Sequence, residues 1–215
     1  WAVGTDSSGS TGILAYEACA VSCPLVVSLG RSCDGCPAGR YHSSVTCVEC
    51  GVGRYSQAGS KECAVQCPAG THADIAGSTG RCLDCAPGKY LDVVGSETAA
   101  DCIDCAAGKF AEASGSDTAS HCIDCSAGRY VDIAGSDEAS DCIDCPPGKH
   151  IELSGSNAAS DCISCYAGKY SSIAGSDAES NCTNCTAGLF SWAGSSACSA
   201  QCPAGTFADV AGGTS

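Results

Sequence analysis

The chain has 215 residues and a net charge of −14, and 22 of its residues are cysteine while none is methionine. Cysteine at about a tenth of a chain is typical of a disulfide scaffold and argues against a globular domain held together by an apolar core. The ten basic residues are spread singly along the chain. Without a basic cluster, nucleic acid is not expected as a partner.

Disulfides persist where thiols stay oxidised, which predicts an extracellular location, either secreted or on a cell-surface appendage. No apolar run approaches the roughly 18 residues of a membrane helix, so no membrane span is predicted in this segment. The chain starts at Trp1, and the unit opened by Cys202 stops at Ser215 before its next cysteine. We therefore expect a fragment of a longer parent.

Five segments are predicted along the chain. Residues 1–18 are rich in serine and glycine and form a linker or the tail of a preceding element. Residues 19–50 hold irregular cysteine-rich units, and residues 51–81 hold units in which Cys63 and Cys67 are separated by three residues instead of two. Residues 82–185 form regular 20-residue repeats, and residues 186–215 hold a short unit and a truncated next unit.

The regular segment carries the same motif in each repeat. A Cys-x-x-Cys pair is followed by a glycine, in most repeats a basic residue, then an aromatic or histidine ring and, in most repeats, a Gly-Ser pair. The pairs are Cys82/Cys85, Cys102/Cys105, Cys122/Cys125, Cys142/Cys145, Cys162/Cys165 and Cys182/Cys185. A fixed period of this length indicates an array of small units, each contacting mainly its neighbours, rather than one domain with a catalytic pocket.

Strand and turn signals recur weakly inside each unit. Residues 130–133 alternate and include β-branched side chains, which predicts a strand, and Gly135-Ser136 predicts a turn that reverses the chain. The predicted fold class is small disulfide-rich repeats in an elongated tandem array, with short β-hairpins and little regular secondary structure.

A longer period is superimposed on the short one. Four cysteines and the residues around them recur after 135 residues. The cysteines are Cys47, Cys50, Cys63 and Cys67, repeated as Cys182, Cys185, Cys198 and Cys202. Chance phasing of similar units is the alternative, but the shared three-residue gap argues against it. The pattern predicts a parent with a super-repeat of 135 residues.

The cysteine spacing reduces the number of plausible disulfide pairings but does not leave a single one. A bond inside a pair leaves each long loop open, whereas a bond from the second cysteine of one pair to the first of the next closes every unit. This ladder predicts Cys23–Cys33, Cys36–Cys47, Cys50–Cys63, Cys67–Cys82, Cys85–Cys102, Cys105–Cys122, Cys125–Cys142, Cys145–Cys162, Cys165–Cys182 and Cys185–Cys198. Cys19 and Cys202 then pair outside the segment. The alternative is a crossed pattern, with Cys82 bonded to Cys102 and Cys85 to Cys105.

The motif Cys-Pro-x-Gly-x-Tyr, followed by Gly-Ser and Cys-x-x-Cys, resembles the cysteine-rich repeat called ephrin-receptor-like, over about residues 33–215. That repeat is a relative of tumour-necrosis-factor-receptor and EGF-like modules. The resemblance implies an elongated, extracellular, disulfide-laddered array. Long runs of such repeats are similar to those of algal and protist surface proteins, including mastigoneme shaft proteins. Unlike receptors, the segment has neither a membrane span nor a kinase.

Metal and redox chemistry were the alternatives for the cysteines. The spacing Cys-x2-Cys-x16-Cys-x2-Cys is also that of a zinc ribbon, but pairs in series make any tetrad arbitrary and thiolate zinc sites suit a reducing compartment. Redox catalysis by Cys-x-x-Cys lacks its βαβ context. We expect disulfides and no metal.

No catalytic grouping stands out among the remaining side chains, so we expect no enzyme. The four histidines lie at non-equivalent positions, and one of them, His150, takes the ring position of its repeat and is expected to pack. Carboxylates recur beside the cysteines at Asp101, Asp104, Asp124, Asp141 and Asp144. Calcium is an alternative role for them, but no Asp-x-Asp-x-Asp-Gly loop is present, so no cofactor is expected.

Two N-glycosylation sequons overlap the end of the regular segment, at Asn181 and Asn184. A glycan on at least one of them is predicted, although the cysteine in each sequon hinders transfer once it is bonded. The many serines and threonines are also candidate sites for O-linked sugar.

The sequence as a whole predicts a structural, non-enzymatic extracellular protein, a disulfide-laddered rod in a filament or surface appendage of the mastigoneme-shaft kind. Its partners would be itself or related subunits, with glycans on its surface. The alternative function is the ectodomain or stalk of a cell-surface receptor or adhesion protein that binds a protein ligand.

Overall fold

The computed structural model of the chain describes residues 35–43, 46–63, 65–79, 81–198 and 200–201. Throughout this part, the chain forms successive loops, each closed by one disulfide. We call each loop a repeat and name it by its first cysteine, so that the Cys105 repeat runs from Cys105 to Cys122. The two residues between successive repeats, or three between Cys63 and Cys67, are called the linker.

Each repeat is anchored by one antiparallel hairpin. The first strand follows the opening glycine and the second strand lies at the end of the repeat or in the linker after it; thus Lys109 pairs with Asp124 and Phe110 with Ile123. The strands are β1 (Arg40–Ser43), β2 (Thr46–Glu49), β3 (Arg54–Tyr55), β4 (Val65–Gln66), β5 (Thr71–His72), β6 (Leu83–Asp84), β7 (Lys89–Tyr90), β8 (Ile103–Asp104), β9 (Lys109–Phe110), β10 (Ile123–Asp124), β11 (Arg129–Tyr130), β12 (Ile143–Asp144), β13 (Lys149–His150), β14 (Ile163–Ser164), β15 (Lys169–Tyr170), β16 (Thr183–Asn184), β17 (Leu189–Phe190) and β18 (Ala200–Gln201).

The 20-residue repeats also carry a single 3₁₀ turn just before the closing cysteine. These turns are Ala99–Asp101, Ala119–His121, Ala139–Asp141, Ala159–Asp161 and Glu179–Asn181. In the Cys125 repeat, the Asp141 carboxylate accepts hydrogen bonds from the backbone N–H groups of Asp137 and Glu138, at 3.1 and 3.3 Å. The carboxylate thereby satisfies amide donors that so short a turn cannot pair internally.

The predicted fold class is confirmed, with tandem disulfide-linked repeats, short two-stranded hairpins and no α-helix in the described ranges. One local prediction was wrong: the strand expected over residues 130–133 ends at Tyr130. The reason lies in the next backbone groups. The Val131 carbonyl accepts from Gly108 N–H at 2.8 Å, and Val131 N–H donates to the Ser156 carbonyl at 3.2 Å. These groups bind the neighbouring repeats instead of extending the hairpin.

The contacts divide the chain into two compact bodies, residues 1–84 with 92–101 and residues 85–91 with 102–215. In the first body, the described part holds hairpins β1/β2, β3/β4 and β5/β6. Its repeats are joined through their backbones, as when Gly95 N–H donates to the Cys67 carbonyl at 2.7 Å.

The second body holds the regular repeats, and these are also joined through their backbones. In adjacent repeats, Gly135 N–H donates to the Cys105 carbonyl at 2.8 Å, and Ala111 N–H donates to the Ser136 carbonyl at 3.1 Å. A parallel bridge between Phe110 and Ser136 lies beside these bonds. The serine carbonyl of the Gly-Ser pair thus accepts a hydrogen bond from the residue that follows the ring of the repeat before it, as also between Ser156 and Val131.

Contacts also reach the second neighbour along the array, whereas the sequence predicted contacts mainly between direct neighbours. Gly128 has a φ of +86°. A Cβ at this position would overlap the Gly175 carbonyl and lie 2.7 Å from its carbon. Gly175 belongs to the Cys165 repeat, two repeats further on. The opening glycine is therefore required both for its left-handed backbone and for the absence of a side chain.

Substitution of this glycine gives a matched test. Gly188 has the same φ of +86°, but no described atom lies within 4 Å of a Cβ there. We expect Gly188→Ala to lose about 1–2 kcal/mol from the left-handed backbone alone. Gly128→Ala should lose about 1–3 kcal/mol more because the methyl group overlaps the Gly175 carbonyl.

Thermal unfolding of the oxidised variants, with amide hydrogen exchange to locate the loss, measures the difference. Gly128→Ala should reduce protection in both the Cys125 and the Cys165 repeats. Equal losses in the two variants would show that the close approach between second neighbours contributes nothing.

Candidate functional site

Nine disulfides lie in the part of the chain that the structure describes. They are Cys36–Cys47, Cys50–Cys63, Cys67–Cys82, Cys85–Cys102, Cys105–Cys122, Cys125–Cys142, Cys145–Cys162, Cys165–Cys182 and Cys185–Cys198. All nine are pairs of the sequential ladder and none follows the crossed pattern. The predicted Cys23–Cys33 bond, like Cys19 and Cys202, lies outside the described residues.

Among the regular repeats, disulfides lie between two side chains, one from each of two successive repeats. In one core cluster, Phe110 of the Cys105 repeat and Val131 of the Cys125 repeat pack against Cys125 and Cys142. Buried apolar groups on both sides exclude water from the sulfurs, and sulfur–aromatic contact adds to this packing. The ring of one repeat thus completes the core of the next.

The same arrangement recurs along the second body. Tyr130 and Ile151 pack with the Cys145–Cys162 bond, and Ala111 lies with Tyr90 at Cys105–Cys122. Sequence reasoning identified the rings as core residues. It missed the residue that follows each ring, which is buried more deeply: Val131 is 1% exposed and Ile151 3%. The signal was present, since this position is apolar or small in every regular repeat.

The Cys165–Cys182 bond has polar neighbours instead. His150 occupies the ring position before it, buried as predicted, with Nδ1 3.7 Å from the Cys182 sulfur. Ser171 follows the ring of the Cys165 repeat, is also buried, and its hydroxyl lies 2.9 Å from that of Ser176.

The other three histidines are not gathered around a common site. His72 is buried at the ring position of its repeat, and His42 lies half-buried in β1. His121 is exposed, with Nδ1 3.5 Å from an Asp117 oxygen.

The carboxylates that recur in the linkers face the basic residues across each hairpin. The register places Arg129 opposite Asp144, and the two side chains form an ion pair at 2.7 Å. Lys109 and Asp124 pair in the same way, as do Lys89 and Asp104, and Arg40 and Glu49. Exposed pairs of this kind contribute about 0–1 kcal/mol each, so they follow from the hairpin register and add little to stability.

The register explains where this pairing stops. Lys169 lies opposite Asn184 rather than an acid, and its ammonium group is 3.4 Å from a Glu179 oxygen. Asp161, like Asp141, accepts hydrogen bonds from the amides that precede a 3₁₀ turn. Of the repeated carboxylates, Asp104, Asp124 and Asp144 are therefore engaged in ion pairs and Asp141 in a cap.

One aliphatic side chain is left exposed in five of the six linkers of the regular segment, the exception being the linker Thr183-Asn184. This set, the linker aliphatics, is Leu83, Ile103, Ile123, Ile143 and Ile163, each about half exposed or more. A second set lies just before the Gly-Ser pairs and includes Ile133, Leu153 and Ile173. Exposed apolar groups at regular intervals are suited to contact with a partner surface.

The surface depressions of the described repeats are shallow and open. One is lined by Glu112, Asp137 and Glu138, and a second by Glu152, Leu153 and Asn157. In the first depression, the Ser140 hydroxyl donates to a Glu138 carboxylate oxygen at 2.9 Å.

The fold and its disulfides define a class of protein, a cysteine-rich array of small disulfide-closed repeats. Residues 112–162 match the family model described as tyrosine-protein kinase ephrin type A/B receptor-like. This segment covers the Cys125 and Cys145 repeats completely, and the ladder continues the same construction on both sides. The match and the ladder of nine disulfides in the described residues together support a cysteine-rich repeat array of the ephrin-receptor-like type. No curated protein matches the chain.

These findings are consistent with an extracellular location. Within the described ranges, no helix has the length and apolar character needed to cross a membrane.

The disulfide pairing can be checked directly. Proteolysis of the unreduced chain followed by mass spectrometry should recover peptides that link Cys105 to Cys122 and Cys125 to Cys142. Reductant should collapse the fold, whereas a chelator should leave it intact, because the cysteines are bonded to each other. Peptides linking Cys102 to Cys122, or loss of structure with chelator alone, would contradict the ladder.

The two sequons differ in their surroundings. Asn184 lies exposed in β16. Asn181 is half-buried in a 3₁₀ turn, and its side-chain amide donates to Asp177 at 2.9 Å. A glycan on Asn181 replaces one amide hydrogen and displaces that bond. We therefore expect Asn184 to carry the glycan in the folded protein when only one sequon is occupied.

Expression in a secretory host, deglycosylation in ¹⁸O water and peptide mapping give the occupancy of each asparagine. Asn184→Gln should remove most of the glycan, and Asn181→Gln should leave it. Occupancy confined to Asn181 would show that accessibility in the folded repeat does not decide the site.

Proposed function

We propose that the chain is a structural, non-enzymatic segment of an extracellular filament or surface appendage, comparable to the shaft of a mastigoneme. The observation that carries the proposal is the continuous connection of the repeats. In the second body, each regular repeat is hydrogen-bonded to its neighbour, as between Gly135 and Cys105, and Gly128 contacts the second neighbour at Gly175.

The energetics of the repeats support a structural role. Each regular disulfide joins cysteines 17 residues apart. In the chain-entropy description, closing such a loop contributes about 3 kcal/mol. A repeat holds few buried apolar side chains besides its cysteines, so its fold depends on the bond and on the ring supplied by the repeat before it. A structure built this way gains stability from length, which suits a spacer or shaft.

The interactions of the acidic side chains also support a structural role. Linker carboxylates such as Asp124 and Asp144 are paired across hairpins, and Asp141 and Asp161 cap turns. Groups that an enzyme would use for acid–base chemistry are thus employed in local structure.

A second candidate is the ectodomain or stalk of a receptor or adhesion protein. Two observations favour it: the family description names a receptor, and the linker aliphatics, such as Ile123 and Ile143, are exposed once per repeat. A protein ligand with apolar side chains could bind such a series.

Electron microscopy of the native parent separates the two functions. A structural segment should be found in filaments whose axial repeat matches one 135-residue super-repeat or a multiple of it. A parent that stays monomeric by light scattering and occurs in cells only in a membrane-anchored form would support the receptor function and overturn the filament.

Deletion of one whole repeat sharpens the comparison. Removal of residues 125–144 joins Asp124 to Cys145 and keeps the motif in frame. We expect this variant to fold, to assemble, and to give filaments with a shorter axial repeat. The control deletion of residues 125–134 removes Cys125 and leaves Cys142 in place, so it should misfold. A variant that folds but no longer assembles would contradict a role as a spacer.

A further inference from the structure

Among the disulfides of the Cys125, Cys145 and Cys165 repeats, one differs from the other two in what surrounds it. The Cys125–Cys142 and Cys145–Cys162 bonds lie between apolar or aromatic side chains. The Cys165–Cys182 bond has His150 at the ring position and Ser171 at the position after the ring. At the other two bonds these positions hold Phe110 with Val131 and Tyr130 with Ile151, whereas at Cys165–Cys182 both are polar.

The geometry brings the imidazole to the sulfurs. His150 Nδ1 is 3.7 Å from the Cys182 sulfur, and the imidazole nitrogen and both sulfurs lie within 4.8 Å of one another. All three residues are buried. The imidazole is therefore in contact with the atom on which negative charge develops when the bond is cleaved.

Solvent exposure would not make the Cys165–Cys182 bond more reactive toward a thiol than its neighbours. Cys182 is 6% exposed, close to Cys162 at 5% and Cys142 at 7%, and the second sulfur is fully buried in each case. Any selectivity must come from the chemistry of the lining. A thiolate is stabilised beside a protonated imidazole and disfavoured among apolar side chains, and a better-stabilised thiolate leaves faster in exchange.

We propose that Cys165–Cys182 is a site of thiol–disulfide exchange with a small thiol of the glutathione class, and that His150 is its catalytic residue. A thiolate RS⁻ attacks the Cys165 sulfur as the repeat opens locally. The bond between the two cysteines breaks, its electron pair goes to the Cys182 sulfur, and the imidazolium of His150 gives that sulfur its proton. The product is a mixed disulfide between R–S and Cys165.

A second thiol completes the exchange. Its thiolate attacks the sulfur of R in the mixed disulfide, RSSR is released, and Cys165 is left as a thiol after protonation by water. Two thiols are oxidised to one disulfide, and one protein disulfide is reduced to two thiols. The small thiol is the only reductant that the reaction needs.

The experiment follows all the disulfides of the full chain during the first stage of reduction. The oxidised protein is treated with limiting glutathione, quenched with an alkylating reagent at intervals, and mapped by mass spectrometry. Cys165 and Cys182 should be alkylated first, on the order of tenfold faster than Cys125 and Cys142. Equal rates at these bonds would overturn the proposal.

Three variants distinguish the effect of the imidazole on the exchange rate from the effect of losing an aromatic ring that packs on the disulfide. His150→Tyr introduces the ring that Tyr130 supplies in the repeat before. It should slow the reduction of the Cys165–Cys182 bond to the rate at which the neighbouring disulfides are reduced. His150→Gln keeps a polar, smaller side chain without an imidazole and should also be slow. Tyr130→His should transfer rapid exchange to Cys145–Cys162, which Tyr130 covers.

The His150→Gln variant also provides the result that would refute the proposal. If His150→Gln reduces as fast as the unchanged protein or faster, the bond is labile because its cover is loose, and the role of His150 is refuted. The melting temperature of each oxidised variant is measured beside its reduction kinetics, so that a variant whose fold is destabilised is recognised. For such a variant, the ratio of the Cys165–Cys182 rate to the Cys125–Cys142 rate in the same sample decides the outcome.

Discussion

A closed loop of this size cannot bury enough apolar surface to fold by itself, and the rest of the structure depends on that constraint. The entropy of ordering a short chain exceeds what a few buried side chains return, so a disulfide takes the place of the core. Around it lie only two further side chains, such as Phe110 and Val131 at Cys125–Cys142. Because one of the two comes from the preceding repeat, no regular repeat completes its core alone, and stability becomes a property of the array.

The same dependence explains the backbone conformation of the repeats. With so few side chains to pack, the repeats contact one another through peptide groups, and peptide groups approach closely only where side chains are absent. The glycines at 128 and 175 meet in this way, and the hydrogen bonds of Val131 use backbone groups that would otherwise lengthen the hairpin. From β3 onward the strands stay two residues long, because the neighbouring repeats use the next donors and acceptors.

The amino-acid sequence was sufficient to predict the features that follow from the period alone. Cysteines at constant spacing favour bonds such as Cys105–Cys122, and the structure contains that bond. The residue after each ring was missed because its role depends on two repeats meeting, which spacing along one repeat does not reveal. The ion pair of Arg129 with Asp144 depends likewise on the hairpin register. Contacts with the second neighbour depend on how successive repeats are rotated, and no local propensity encodes that rotation.

The alternation of closed loops and linkers also determines what breaks the chain. A peptide bond cut inside a loop, such as one between Cys125 and Cys142, leaves both ends joined through the sulfurs. A cut in a linker, as between Ile143 and Asp144, breaks the covalent connection between the Cys125 and Cys145 repeats, which are then joined by hydrogen bonds and packing alone. Tension applied to the ends passes through the disulfides and bypasses the residues within each loop. The short hairpin strands of the linkers are therefore the places where an extracellular protease can sever the array.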